Sequence, residues 1–238
     1  MGFLNAIRCS YGALRILSWL TKPINLFCRR FDRTENCAAR TRAAIPPGRL
    51  NGQALSPLGA LPYGAWTMAY NGCEVIAVYN ALLVLRRGAP LLELTAELER
   101  RGLLFNGYGG TNLSAVASCL RSRGVEVTVL RRRERERFDA ALAGSGCAIL
   151  SYWTGRRLRR ADGSWNTLHT VSVQRSFAGV EVCNCESDWP APRSAKSIAD
   201  FLRREEGEPV CLFALKAVDK TALTGYNPQY VKCNDGQE

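Results

Sequence analysis

The chain predicts an α+β fold, with helices in its first half and mostly antiparallel strands in its second. Three observations lead there. Between residues 73 and 123 apolar side chains recur at three- and four-residue steps. From residue 125 onward come short β-rich runs, VEVTVL, CAILSYW, HTVSVQR, VEVCN and VCLFALKAV. Gly and Pro punctuate the boundaries, and no internal repeat relates the runs. The length of 238 residues suits one generous domain or two small ones, and 47% hydrophobic with 22% charged residues is ordinary for a globular chain.

The elements follow in order. Leu4, Ile7, Tyr11, Leu14, Leu17 and Leu20 form an apolar stripe over residues 3–21, flanked by Arg8, Arg15 and Lys22 and closed by Pro23. Residues 1–45 thus read as a basic amphipathic arm or propeptide. Its helix suits either a membrane surface or the face of the main domain. Residues 46–61, with Pro46, Pro47, Pro57, Gly48, Gly52 and Gly59, read as a Pro/Gly-rich linker. The domain proper is expected over 62–218. Its helices are predicted at 73–87, at 91–101, and from a cap at Thr111 or Asn112 to about Arg123, with Gly124 beyond. A strand at 125–130, a short helix at 134–143 and a buried strand at 147–153 come next. After the basic loop 155–167, residues 169–175 and 180–184 form a hairpin around a turn at 176–179. A helix at 194–204 and a strand at 210–218 finish the domain, and 219–238 is a polar tail.

The net charge of +11 invites a nucleic-acid reading until its distribution is considered. Residues 1–50 hold nine cations against Asp32 and Glu35, a net of +7, which leaves +4 for the remaining 188 residues. The basic character belongs to the arm, so no nucleic-acid partner is expected. Ten cysteines are too few for a small disulfide scaffold, and no CxxC pair is present. Cys119, Cys147 and Cys211 fall in apolar runs, where a thiol acts as a small hydrophobe. No window offers the ~20 apolar residues of a membrane span. Arg15 interrupts the apolar region that a secretory signal would need. The expected location is the cytoplasm, with membrane-surface contact through residues 3–21, and no cofactor is expected.

Three residues stand where thiol chemistry would want them: Cys73, His169 and Asn184. Cys73 begins an apolar helix, whose N-terminal amides and dipole favour a thiolate and can hold an oxyanion. His169 is the chain's one histidine and opens a strand, where it can act as base and then acid. If 176–179 close the hairpin, residue 175 pairs with 180 and Asn184 faces Val171. His169 and Asn184 then share a face, and the Asn184 side-chain oxygen can accept from the ring and fix its tautomer. A metal set of His169, Cys183 and Cys185 is the weaker use of the same residues.

The runs YNGCEVIAVYNALLVL (70–85), GYGGTNLSAVASCLRSRGVEV (107–127), AILSYW (148–153), HTVSV (169–173) and VEVCN (180–184) resemble papain-like cysteine peptidases. They are most similar to the bacterial bacteriocin-leader-processing (double-glycine) type, over residues 62–218. The resemblance implies a helical half bearing the nucleophile, packed on an antiparallel sheet. It implies a Cys73, His169, Asn184 triad that hydrolyses a peptide bond of a peptide or protein through a thioester. The glutamine usual six residues before the cysteine is Thr67 here, so Asn71, with the Cys73 backbone N–H, is the expected oxyanion donor. Glu74 stands where glycine is frequent, and a carboxylate there raises the thiol pKa unless it points away. The alternative function is a catalytically silent papain-like module that binds a peptide or partner.

Overall fold

The computed structural model describes residues 11, 33–41, 45–107, 110–154 and 167–218. The expected 3–21 helix apart from Tyr11, the basic loop apart from Thr167, and the 219–238 tail lie outside the described residues.

The described helices are α1 (Arg33–Thr41), α2 (Met68–Asn71), α3 (Cys73–Val84), α4 (Leu91–Gly102), α5 (Leu113–Arg121), α6 (Phe138–Ala143) and α7 (Ile198–Arg204). The strands are β1 (Pro62–Tyr63), β2 (Trp66–Thr67), β3 (Val125–Arg131), β4 (Cys147–Trp153), β5 (Leu168–Ser176), β6 (Gly179–Cys183), β7 (Arg193–Ala195) and β8 (Glu208–Ala217). β1 and β2 make a small hairpin. The other six form one sheet in the order β3-β8-β4-β5-β6-β7, antiparallel throughout. The fold is α+β, with the Cys73 helix packed on an antiparallel sheet.

The central strands β4 and β8 are buried on both faces, which explains why they read as unbroken apolar runs rather than alternating ones. Along β4, Cys147, Ile149 and Trp153 join the core under α3, α4 and α5. Ala148, Leu150 and Tyr152 join Phe138, Leu142, Ile198 and Phe201 of α6 and α7 on the other face. α3 runs through the first of these cores with Val75, Ile76, Ala77, Val78, Ala81 and Leu82 all enclosed. A helix apolar on every side belongs inside a layered fold, not on its surface.

Local chemistry sets the boundaries. The Asn112 side chain accepts from the Ser114 amide at 2.8 Å and starts α5. Gly124, at φ 70, turns the chain into β3. The helix expected at 134–143 begins only at Phe138, because the charged run 132–137 takes a tighter 3-10 form. The helix expected from 194 begins at Ile198. Residues 193–195 instead pair with β6, and the Ser197 hydroxyl caps the helix by accepting from the Asp200 amide at 3.0 Å.

Residues 46–61 hold one 3-10 turn, Leu58–Ala60, in otherwise irregular backbone, and they are tied to the domain. Leu50, Leu58 and Leu61 are buried. Asn80 of α3 accepts from the Leu50 amide and donates to the Leu50 carbonyl, each at 2.8 Å. The Ala54 amide donates to Ser187 O at 2.6 Å. The N-terminal arm is anchored as well. Asn36 and Arg40 of α1 donate to Glu99 at 2.8 and 2.6 Å, and Tyr11 packs edge-on against Phe213 of β8.

Candidate active site

Cys73 is the first residue of α3 and is only 6% exposed. One helical turn, α2, precedes it, joined through Gly72. A β-carbon on Gly72 would stand 2.5 Å from the Met68 carbonyl oxygen, so the junction has no room for a side chain. The cysteine sulfur lies against β5, where the main chain at Thr170 offers it a hydrogen bond that favours the thiolate.

A second contact works the other way. Cys73 Sγ donates to Glu74 Oε2 at 3.1 Å, and Glu74 is itself 3% exposed. Burial first, then the Glu74 charge and its hydrogen bond, push the Cys73 thiol well above its ordinary value. The sequence expectation of an acidified thiol is therefore reversed, because the carboxylate turns toward the sulfur. Burial also pushes the Glu74 carboxyl up to about 7, against hydrogen bonds from Cys73, its own backbone, Thr170 and Thr111. Beneath this pair, Tyr63 and Thr111 share a hydrogen bond of 2.7 Å, and Thr170 and Ser151 share one of 3.0 Å.

His169 sits on β5 opposite Tyr152 of β4, and the two rings meet edge to face at 5.9 Å. Strand alternation turns Leu168 and Thr170 toward the α3 side and His169 toward the Tyr152 side. The ring's Nε2 lies 2.6 Å from the main-chain oxygen of Asn184. A carbonyl only accepts, so Nε2 carries the hydrogen and the neutral ring keeps a lone pair on Nδ1. Burial holds the ring below its ordinary pKa, opposed by that carbonyl contact. Among the described residues no hydrogen bond joins the ring to Sγ. The sulfur lies instead beside the main chain at Thr170.

The hairpin has the expected register, with Arg175 opposite Val180, though its loop is two residues long rather than four. The outcome for Asn184 differs because β6 stops at Cys183 and Asn184 takes a left-handed backbone, φ 65. Its carbonyl, not its side chain, reaches the histidine. The side chain pairs with Gln53: Oδ1 accepts from the Gln53 amide at 3.1 Å, and Nδ2 donates to Gln53 Oε1 at 3.0 Å. Gln53 Nε2 in turn donates to Ala69 O at 2.9 Å, and the Asn184 amide donates to Asn51 Oδ1 at 2.9 Å.

Asn71 is 4% exposed, and among the described residues its amide nitrogen Nδ2 has no hydrogen-bond partner. Gly107, at φ 101, lies beside it, and a β-carbon there would come within 2.8 Å of Nδ2. A buried, unspent donor two residues before the thiol is what an oxyanion site requires. Thr67 is exposed on β2. Among the described residues no group of three His, Cys, Asp or Glu side chains could hold a metal, so His169, Cys183 and Cys185 are not gathered as a ligand set. Gln53, Asn51 and Thr170 have no part in the sequence expectation of the site, and Thr111 enters it only as a helix cap. Gln53 and Asn51 lie in a stretch whose turn residues signal a surface linker, and only the folded chain returns them to Asn184.

No protein-family model matches the chain, and no curated protein matches it. Among solved structures it is similar to the crystal structure of a double glycine motif protease from an AMS/PCAT transporter, in complex with the leader peptide. The similarity covers 61% of this chain and 84% of that one, at 13% identity and a TM-score of 0.39. At that level, the chemistry of this chain rests on the side chains described above. Among the described residues no helix is long and apolar enough to cross a membrane.

Proposed function

We propose that the protein is a cysteine peptidase that hydrolyses a peptide bond of a peptide or protein through a thioester acyl-enzyme. The observation that carries this reading is that Cys73 opens the helix that packs on β5, the strand that holds His169. Cys73 Sγ attacks the carbonyl carbon as its proton passes to His169 Nδ1. The carbonyl oxygen takes the electron pair and is met by Asn71 Nδ2 and the Cys73 backbone N–H. His169 then returns the proton to the leaving nitrogen as the C–N bond breaks, and water hydrolyses the thioester. The proton transfer requires the imidazole, which faces Tyr152 in the resting structure, to turn its Nδ1 edge toward the thiol. Asn184 orients the ring through its main chain.

The test is acylation of Cys73 by a panel of short peptide thioesters, read as intact mass, with Cys73→Ala and His169→Ala beside the wild type. Cys73→Ala is expected to abolish the adduct, and His169→Ala to slow it by about 10²-fold or more. Equal acylation of wild type and His169→Ala would overturn the reading. One observation favours the silent binding module as a second reading: Glu74 occupies the thiol. That reading expects saturable peptide binding, unchanged by Cys73→Ala and without any adduct.

A further inference from the structure

The Cys73–Glu74 pair is the feature that the proposed mechanism leaves unused. A thiol peptidase can keep its cysteine as a preformed thiolate beside an imidazolium, or as a neutral thiol that loses its proton during attack. Here three structural facts bear on the choice. The Cys73 Sγ hydrogen bond goes to Glu74 Oε2, at 3.1 Å, with both residues buried. The histidine's hydrogen-bearing nitrogen is occupied by the Asn184 carbonyl at 2.6 Å, so no proton is directed from the ring toward the sulfur. Among the described residues, the groups that face Glu74 are the Cys73 thiol from its own helix, the Thr111 hydroxyl, the Thr170 hydroxyl of β5 and the Tyr63 phenol of β1, none of them a cation. The nearby Glu99 is paired with Arg40.

Resting on Cys73 as the nucleophile, we propose that Glu74 is a positioning residue that holds Cys73 as a neutral thiol in the resting enzyme. The sulfur then gives up its proton only as it bonds to an acyl carbon. In that step the S–H bond breaks, the proton goes to His169 Nδ1, the S–C bond forms and the carbonyl π pair moves to oxygen. Glu74 neither gains nor loses a proton. Its charge opposes any thiolate left waiting in the site, and its oxygen fixes where the S–H points. The direction of the Cys73 and Glu74 pKa shifts agrees with this arrangement.

The experiment follows alkylation of Cys73 by iodoacetamide between pH 5.5 and 9.5, resolved by peptide mass, in the wild type, Glu74→Gln and Glu74→Met. Glutamine keeps the shape without the charge. Methionine also removes any donor that could itself stabilise a thiolate. Exposed Cys37 serves as the reference thiol, and buried Cys147 and Cys211 report loosening of the fold. Both variants are expected to alkylate Cys73 at least about tenfold faster at pH 7.5, with the midpoint moved down by more than about one pH unit. The Cys37, Cys147 and Cys211 rates should stay put. An unmoved or raised midpoint, a slower reaction, or an acceleration shared by Cys147 and Cys211 would overturn the proposal. The readout is thiol reactivity rather than peptide cleavage. Failure of the peptidase reading would therefore appear separately, as absent acylation by peptide thioesters in a protein whose Cys73 still responds to Glu74.

Discussion

Glu74 carries a stability consequence as well as a chemical one. Its carboxyl titrates at 4.5 in an ordinary setting and at about 7 when buried beside Cys73. The folded chain thus binds the proton more tightly than the unfolded chain. The contribution is fully present below pH 4.5 and is lost as pH rises through 7. At pH 8 the ionised, buried carboxylate costs about 3 kcal/mol. Glu74→Gln is therefore expected to be more stable than the wild type at pH 8, with the difference shrinking toward pH 4.5. Urea unfolding at half-unit pH steps measures it, and a difference flat with pH would refute the assignment. The sequence made the residue visible, since a carboxylate next to a candidate nucleophile is conspicuous. It left open where the side chain points, and packing against Thr170 and Thr111 decides that. His169 was legible as the chain's one histidine, and Cys73 as the cysteine that opens an apolar helix. Asn71 was legible as a donor near the thiol, but its unspent Nδ2 is a property of the packed junction.

Elements were predicted best where period and punctuation agreed. The buried strand at 147–153 and the hairpin register follow from the apolar runs and the turn between them. The register also shows the limit of such arithmetic. Pairing rules place side chains only while the strand continues, and Asn184 lies one residue past its end in a left-handed turn. The stretch 46–61 illustrates a different limit. Its local signals speak of broken backbone, which is correct, and say nothing of distant partners such as Asn80, Asn184 and Ser187. That stretch works as a strap, because Gln53 bonds to Asn184 on one side and to Ala69, in the turn before Cys73, on the other. Gln53→Ala leaves the Asn184 amide group and the Ala69 carbonyl without these partners, at a cost of roughly 1–3 kcal/mol per buried group left unsatisfied. Its effect on chemistry is predicted to reach His169 through a loosened Asn184, whose carbonyl holds the ring. Peptide-thioester acylation should slow at saturating substrate, while the Cys73 alkylation midpoint stays fixed. A midpoint that moved with Gln53→Ala would mean that the strap acts on the thiol instead.

At the scale of the molecule, the described part of the arm and the domain meet at one buried carboxylate. Glu99 of α4 accepts from Asn36 at 2.8 Å, from Arg40 at 2.6 Å and from the Gly64 amide at 2.8 Å. Arg40 also donates to Pro62 O at 2.8 Å. Both ends of the ion pair are almost fully enclosed, 2% and 3% exposed. Such a pair adds little net stability over apolar residues of the same volume, but losing one member leaves a bare buried charge. Arg40→Met is therefore expected to destabilise the whole domain by about 3–5 kcal/mol, and adding Glu99→Leu to restore much of the loss. A double-mutant cycle by urea unfolding checks both parts. A cost under about 1 kcal/mol for Arg40→Met would mean that α1 does not dock on Glu99 in solution. The β1–β2 hairpin lies between this anchor and the thiol. Pro62 and Gly64 take the contacts from α1, Tyr63 reaches Thr111 beside Glu74, and Thr67 leads through α2 to Cys73. Arg40→Met should accordingly raise the alkylation rate of Cys73 as well as lower stability, whereas the exposed reference thiol Cys37, on α1 itself, should be affected only through release of that helix.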